Sequence, residues 1–231
     1  MKANKPSLIL FFVALLFTII LDCTQQDILA IYAKAVVLPA IFFYFIISSD
    51  FKIGKTEGVI FFFCFVGQVF DLMDIEISEL GGVISFLIVY LLILKLFIID
   101  HERIKLKRKD ILPVSIVVIF LVYLLVSVLS LQLDNMKRFN VLYTFYGIVL
   151  SVLSYYSFVT YITKGTHLAL LMSLMAISYI FSDIFYIFNQ YFSYSVVLVL
   201  IRDVTQILGY YFMVEYFLEK TRIQKKMLYN N

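Results

Sequence analysis

Ionisable residues stand inside long apolar runs of the chain, among them Lys34, Asp71, Asp183, Arg202, Asp203 and Glu215. A charged side chain at mid-bilayer costs about 2.5–3.5 kcal/mol on insertion scales, so such groups persist where they pair or take part in function. Carboxylates with environment-tuned protonation are the usual equipment of acid–base hydrolysis. One holds a proton and donates it to a substrate atom, while a second accepts a proton from water. A Lys and an Arg beside them would suit a phosphate headgroup. Residue types alone therefore point to an intramembrane acid–base or ion-binding site.

Helical spacing gathers further polar residues around these six. Tyr179, Ser182, Asp183, Tyr186 and Gln190 recur at offsets that place them on one helix face. Cys64, Gly67, Gln68 and Asp71 form a second stripe, and Arg202, Gln206, Gly209 and Met213 a third, with Asp203 and Tyr210 next to it. Each residue also has a plainer explanation. Asp71 and Asp74 suit a solvated helix end, Lys34 and Glu215 suit snorkelling to headgroups, and Arg202 with Asp203 suits an interfacial ion pair. Asp183 is the hardest to explain without a function. No nucleophile motif, P-loop or Cys/His metal spacing is present, so no metal or cofactor is expected. The many Phe and Tyr residues read as lipid-facing and interfacial packing.

The elements that must position these residues follow from composition. Of 231 residues, 63% are apolar and 15% charged, with a mean hydropathy of +0.98. Soluble domains lie nearer 45–50% apolar and about 25% charged, which excludes an ordinary water-soluble fold. At roughly 20 residues per spanning helix, the chain has room for about eight spans and no separate soluble domain. The apolar runs cover 7–21, 28–47, 57–73, 81–99, 111–131, 139–162, 167–190 and 194–218. They are too long for barrel strands and lack period-two alternation. The expected fold is all-α: one polytopic integral membrane domain over 1–231, an eight-helix bundle.

Lys and Arg set the expected orientation. With a cytoplasmic N-terminus, the inner segments hold Lys2, Lys5, Lys52, Lys55, Arg103, Lys105, Lys107, Arg108, Lys109, Lys164, Lys220, Arg222, Lys225 and Lys226. The outer loops hold only Lys137 and Arg138, against Asp22, Asp27, Asp74, Glu76 and Glu79. This asymmetry predicts both termini in the cytoplasm, and the expected location is the inner (cytoplasmic) membrane of a bacterium. The basic stretch His101–Lys109 reads as a topology determinant touching anionic lipid, with no nucleic-acid partner. His101 and His167 fall on the cytoplasmic face, away from the acidic cluster. Cys23 and Cys64 read as free thiols. The first run has no small-residue cleavage site and is expected to stay as a helix. At about 1.5 Å of rise per residue, Lys34, Asp183, Arg202 and Asp203 lie about 9–14 Å below the outer ends of their helices. Gln68 and Asp71 share that outer half, whereas Glu215 falls near the cytoplasmic side.

The order and spacing of these polar motifs resemble the YhhN-like membrane proteins, a family that includes the lysoplasmalogenases. The likeness extends roughly from the second span to the eighth. Its early Lys-Pro motif with a second Pro is similar to Lys34-Ala35-Val36-Val37-Leu38-Pro39, with Ala35 in place of the first Pro. Its Gly-Asp motif resembles Gly67-Gln68-Val69-Phe70-Asp71, where Gln68 replaces the Asp and Asp71 stands one turn later. Phe181-Ser182-Asp183, with Asn189 at a fitting distance, resembles the Ser-Asp motif. Tyr210-Tyr211-Phe212-Met213-Val214-Glu215 resembles a closing Tyr-Tyr-x-x-x-Gln pattern, with Glu215 for Gln, and Tyr90 takes the place of a fourth-span His.

The resemblance implies hydrolysis of the vinyl ether bond of lysoplasmalogens to a fatty aldehyde and a glycerophospho-headgroup alcohol. Asp183 would be one catalytic carboxylate, with Asp71 or Asp203 as its companion. Lys34, Gln68, Ser182, Arg202, Tyr210 and Glu215 would meet the substrate, a membrane lysophospholipid. A different reading keeps the same carboxylates for a proton- or ion-coupled transporter or a lipid-binding protein. Against the transporter, the spans lack clear Gly/Pro breaks beyond Pro39 and Pro113, and no inverted repeat is evident.

Overall fold

A computed structural model describes residues 5–73, 78–99, 106–130, 140–191 and 194–229. Eight helices carry the fold: α1 (Lys5–Cys23), α2 (Asp27–Ser48), α3 (Lys55–Met73), α4 (Ser78–Ile99), α5 (Ile111–Ser130), α6 (Asn140–Lys164), α7 (His167–Tyr191) and α8 (Val196–Tyr229). Each is long and apolar enough to cross a bilayer, and no strand occurs among the described residues. This is the build of a multi-pass membrane protein, whose backbone polar groups are satisfied within each span.

The helix ends are built locally. The Glu57 carboxylate accepts from Gly54 N–H at 2.9 Å just ahead of α3. The Lys107 N–H donates to Asp110 at 3.1 Å in the 3-10 turn that leads into α5. Between α6 and α7 the chain reverses through Gly165 at φ +59°, where its N–H closes on Tyr161 O at 2.9 Å. A residue without Cβ takes that left-handed cap most easily. Pro113 sits in the first turn of α5, where its missing N–H has no helical partner to lose.

Six helices close a ring through the packed pairs α8·α2, α2·α3, α3·α4, α4·α6, α6·α7 and α7·α8. Outside the ring, α1 lies against α2 and α8, and α5 packs on α6. Only Val114 and Leu121 of α5 are buried, and its outward residues Ile116, Ile119 and Phe120 are exposed, as suits a lipid-facing helix. The tightest joint is α7 on α8. A Cβ added at Gly209 would lie 2.7 Å from the Tyr179 ring, so the bare backbone lets that ring seat against α8. At one end of the ring Phe45, Phe61 and Phe217 cluster with centroids 5.3–6.3 Å apart, Phe45 stacked on Phe61 and Phe217 tilted or edge-on to both, and Phe97 meets Tyr216 edge-on at 5.2 Å.

The expected spans map onto these helices with three differences that matter. Helix α1 continues through Asp22, and α4 begins early enough to include Glu79; both residues were expected in outer loops. Hydropathy ends a span at the first charge, but the backbone stays helical while its carboxylates find partners inside the bundle. Helix α8 continues to Tyr229 rather than ending near 218. Its polar extension carries the pairs Arg222–Glu219 at 3.3 Å and Lys225–Asp50 at 3.2 Å. Of the charges used for orientation, Lys2, Asp74, Glu76, Arg103, Lys105, Lys137 and Arg138 lie outside the described residues, as do His101 and the side chain of Asp27.

Candidate functional site

The polar side chains collect at the opposite end of the ring from the phenylalanine stack. There α1, α3 and α7 finish, and α2, α4, α6 and α8 begin. A line of alternating charge crosses four helices. Lys34 Nζ of α2 lies 3.1 Å from Asp22 Oδ1 of α1 and 2.5 Å from Asp203 Oδ2 of α8. Arg202 Nε donates to Asp203 Oδ1 at 2.8 Å, and its Nη2 stands 4.0 Å from Asp71 Oδ2 of α3. The guanidinium also sits over the Tyr186 ring of α7, 5.7 Å from its centroid. Asp22 and Asp203 are only 5% and 2% exposed, so each carboxylate depends on its cation for solvation. Gln68 Nε2 donates to the backbone carbonyl of Lys34 at 2.6 Å, fixing α3 against the turn that carries the lysine.

Beside this line opens a cavity of about 390 Å³. Asp71 and Phe70 of α3, Glu79 of α4, Tyr146 of α6, Ser182, Asp183, Tyr186 and Gln190 of α7, and Arg202 and Gln206 of α8 face it. Asp183 is held by two phenols, with Tyr90 and Tyr146 donating to its Oδ2 at 2.9 and 2.8 Å. Two donors on one oxygen fix the carboxyl plane and stabilise its ionised form once a proton has left. They leave Oδ1 as the atom on which a transferable proton would ride. Glu79 accepts from Tyr143 and Tyr191 through one oxygen, tying α4 to α6 and α7 at the mouth.

A second, apolar groove of about 100 Å³ runs between α5, α6 and α7. It shares Val83, Tyr146, Asp183 and Tyr186 with the polar chamber. Asp183 therefore stands in a wall common to a polar and an apolar space.

The structure brings Asp71, Asp183, Ser182 and Arg202 to the chamber. Lys34 and Asp203 stand behind Arg202 as its support, and neither faces the cavity. Gln68 braces α2, and Tyr210 is buried, with its hydroxyl accepting from Gln206 Nε2 at 3.3 Å. Glu215 is far from the others. Tyr44 donates to it at 2.8 Å near the end of α2, on the side of the phenylalanine stack, and so it does not join the chamber. Residue types had pointed past five contributors: Asp22, Glu79, Tyr143, Tyr146 and Tyr191. By sequence alone the two carboxylates read as loop charges and the tyrosines as lipid-facing packing. The one signal available was the spacing of Tyr143 and Tyr146, three apart and so on one face of α6. Among the described residues no group of three or more His, Cys, Asp or Glu side chains is placed to hold a metal ion.

Compared with known protein families, curated proteins and solved structures, the chain matches none.

Proposed function

We propose that the protein is an intramembrane hydrolase of the lysoplasmalogenase type, cleaving the vinyl ether bond of a lysophospholipid by carboxylate acid–base chemistry. The observation that carries this reading is the position of Asp183 in the wall between the polar chamber and the apolar groove. An amphiphile spanning that wall has its headgroup among Arg202, Asp71 and Gln190, and its chain between α5 and α7. The first bond of the chain then lies beside the carboxyl. The short motifs that resemble those of the YhhN-like proteins, above all Ser182-Asp183, support the same reading.

The chemistry needs one acid, one base and one water. Asp183 donates its proton to the outer vinyl carbon, and the positive charge that forms is shared between the inner carbon and the ether oxygen. The Tyr90 and Tyr146 hydroxyls stabilise the carboxylate left behind. Asp71 takes a proton from water as the water oxygen bonds to the inner carbon, giving a hemiacetal. Asp71 then returns its proton to the ether oxygen while the hemiacetal hydroxyl proton passes to Asp183, which releases the headgroup alcohol and a fatty aldehyde, restores both carboxyl groups and consumes one water overall. Asp71 suits the base better than Asp203, because Asp71 faces the chamber and Asp203 is clamped between Lys34 and Arg202. Arg202, at the chamber surface, is the contact for the phosphate.

The excess of Lys and Arg on one side supports cytoplasmic termini, which sets the chamber beneath the non-cytoplasmic leaflet of a bacterial inner membrane. The purified protein should release aldehyde from a lysoplasmalogen. Asp183→Asn should lower turnover at least 10²-fold, the usual contribution of a general acid, with an unchanged gel-filtration profile. Wild-type protein that releases no aldehyde from vinyl ether lipids in an assay where an active lysoplasmalogenase does so would overturn the assignment. One observation favours a second reading, a proton- or ion-coupled transporter: the unbroken line Asp22–Lys34–Asp203–Arg202–Asp71. A pH-dependent flux in proteoliposomes without product would select it.

A further inference from the structure

We infer that the groove between α5, α6 and α7 is a dedicated seat for the aliphatic chain of the lipid whose polar part occupies the chamber. This deepens the hydrolase reading and rests on it for the identity of the polar part. Three features carry it. First, the groove and the chamber adjoin: Val83, Tyr146, Asp183 and Tyr186 line both, so a molecule with a polar and an apolar portion has a place for each on either side of Asp183. Second, the groove is lined by aliphatic side chains beyond that junction, with Leu121, Leu125 and Leu129 of α5 facing Leu150 of α6 and Ile184 and Ile187 of α7. Third, its outer wall is α5, which stands outside the ring and packs mainly on α6, so the seat lies next to the surrounding lipid. Gly147 keeps this wall closed. A Cβ there would meet the Leu125 Cδ1 methyl at 2.7 Å, so the end of that leucine would have to turn aside to admit it.

The physics of the bilayer defines what such a seat can do. A chain leaving lipid for the groove moves between two apolar surroundings, and so gains little from the hydrophobic effect. Holding the molecule falls to the polar end, and the groove supplies direction. It fixes which chain atom lies beside Asp183.

A lysophosphatidylcholine analogue with a mid-chain diazirine, in phosphatidylcholine nanodiscs with the full-length protein, tests the seat. Photocrosslinks mapped by mass spectrometry should concentrate on Leu125, Leu129 and Ser151, and unlabelled lysophosphatidylcholine should compete them away. Ser151→Phe and Leu125→Phe, which fill the groove, should each lower this labelling about tenfold, the scale set by overpacking a closed site. Val152→Phe on the exposed side of α6 should leave it unchanged. Labelling spread over outward residues such as Ile116 and Ile119, or insensitive to both filling variants, overturns the seat. If either variant fails to fold, the wild-type map decides alone. Aldehyde release without groove labelling removes the seat and keeps the hydrolase. Groove labelling that persists in a protein releasing no aldehyde keeps the seat and removes the hydrolase.

Discussion

The two ends of the helix ring solve opposite problems with the same backbone. At one end Phe45, Phe61, Phe97, Tyr216 and Phe217 fill the interior with rings. At the other, ionic side chains from α1, α2, α3 and α8 hold one another in place beside an open chamber. Aromatic packing needs only shape, and loss of one ring is a local defect. An ionic line needs every member, because deleting a cation strands the carboxylates on both sides of it. The ring end should therefore govern stability alone, and the ionic end stability and activity together.

Lys34→Met tests this most severely. Asp22 and Asp203 would both lose their shared ammonium, costing about 3–5 kcal/mol. Aldehyde release per folded molecule should fall as Arg202 is pulled toward Asp203, and Lys34→Met/Asp22→Asn should recover part of the stability in a denaturant titration. Phe217→Ala should remove about 3–5 kcal/mol through an unfilled cavity, yet leave the turnover of the surviving folded protein unchanged. If Phe217→Ala abolished turnover at full occupancy of the folded state, the division between the ends would be wrong. Gly209→Ala should cost about 1–3 kcal/mol by overpacking against Tyr179, read as a lowered unfolding midpoint. Tyr146→Phe should cost the least, about 1 kcal/mol for one hydrogen bond. Its turnover should fall more than its unfolding midpoint, because the lost bond is to Asp183.

The same contrast explains which parts of the molecule could be read in advance. Eight spans are legible because twenty apolar residues in a row leave the chain one place to go. Asp183 is legible because a carboxylate in mid-span has no cheap explanation. Asp22 and Glu79 were not, since a charge at the edge of a run looks like a loop until its partner is known. Their partners, Lys34 for one and Tyr143 with Tyr191 for the other, come from different helices. Tyr146 is hidden for another reason. Hydropathy treats a tyrosine facing lipid and a tyrosine facing Asp183 alike, and only the packing of α6 on α7 separates them. Glu215 shows the reverse error of place: a charge in the right helix but at the wrong depth, paired with Tyr44.

Pro39 lies within α2, between Lys34 and Phe45. Its ring nitrogen carries no hydrogen, so the carbonyl of Ala35 has no helical donor four residues on. The neighbouring carbonyl, that of Lys34, is the one that the Gln68 amide grips. Helix α2 thus has a weakened joint with a splint across it, and the splint comes from α3. Shortening Gln68 would free the lysine's half of the helix to swing while the phenylalanine half stayed anchored.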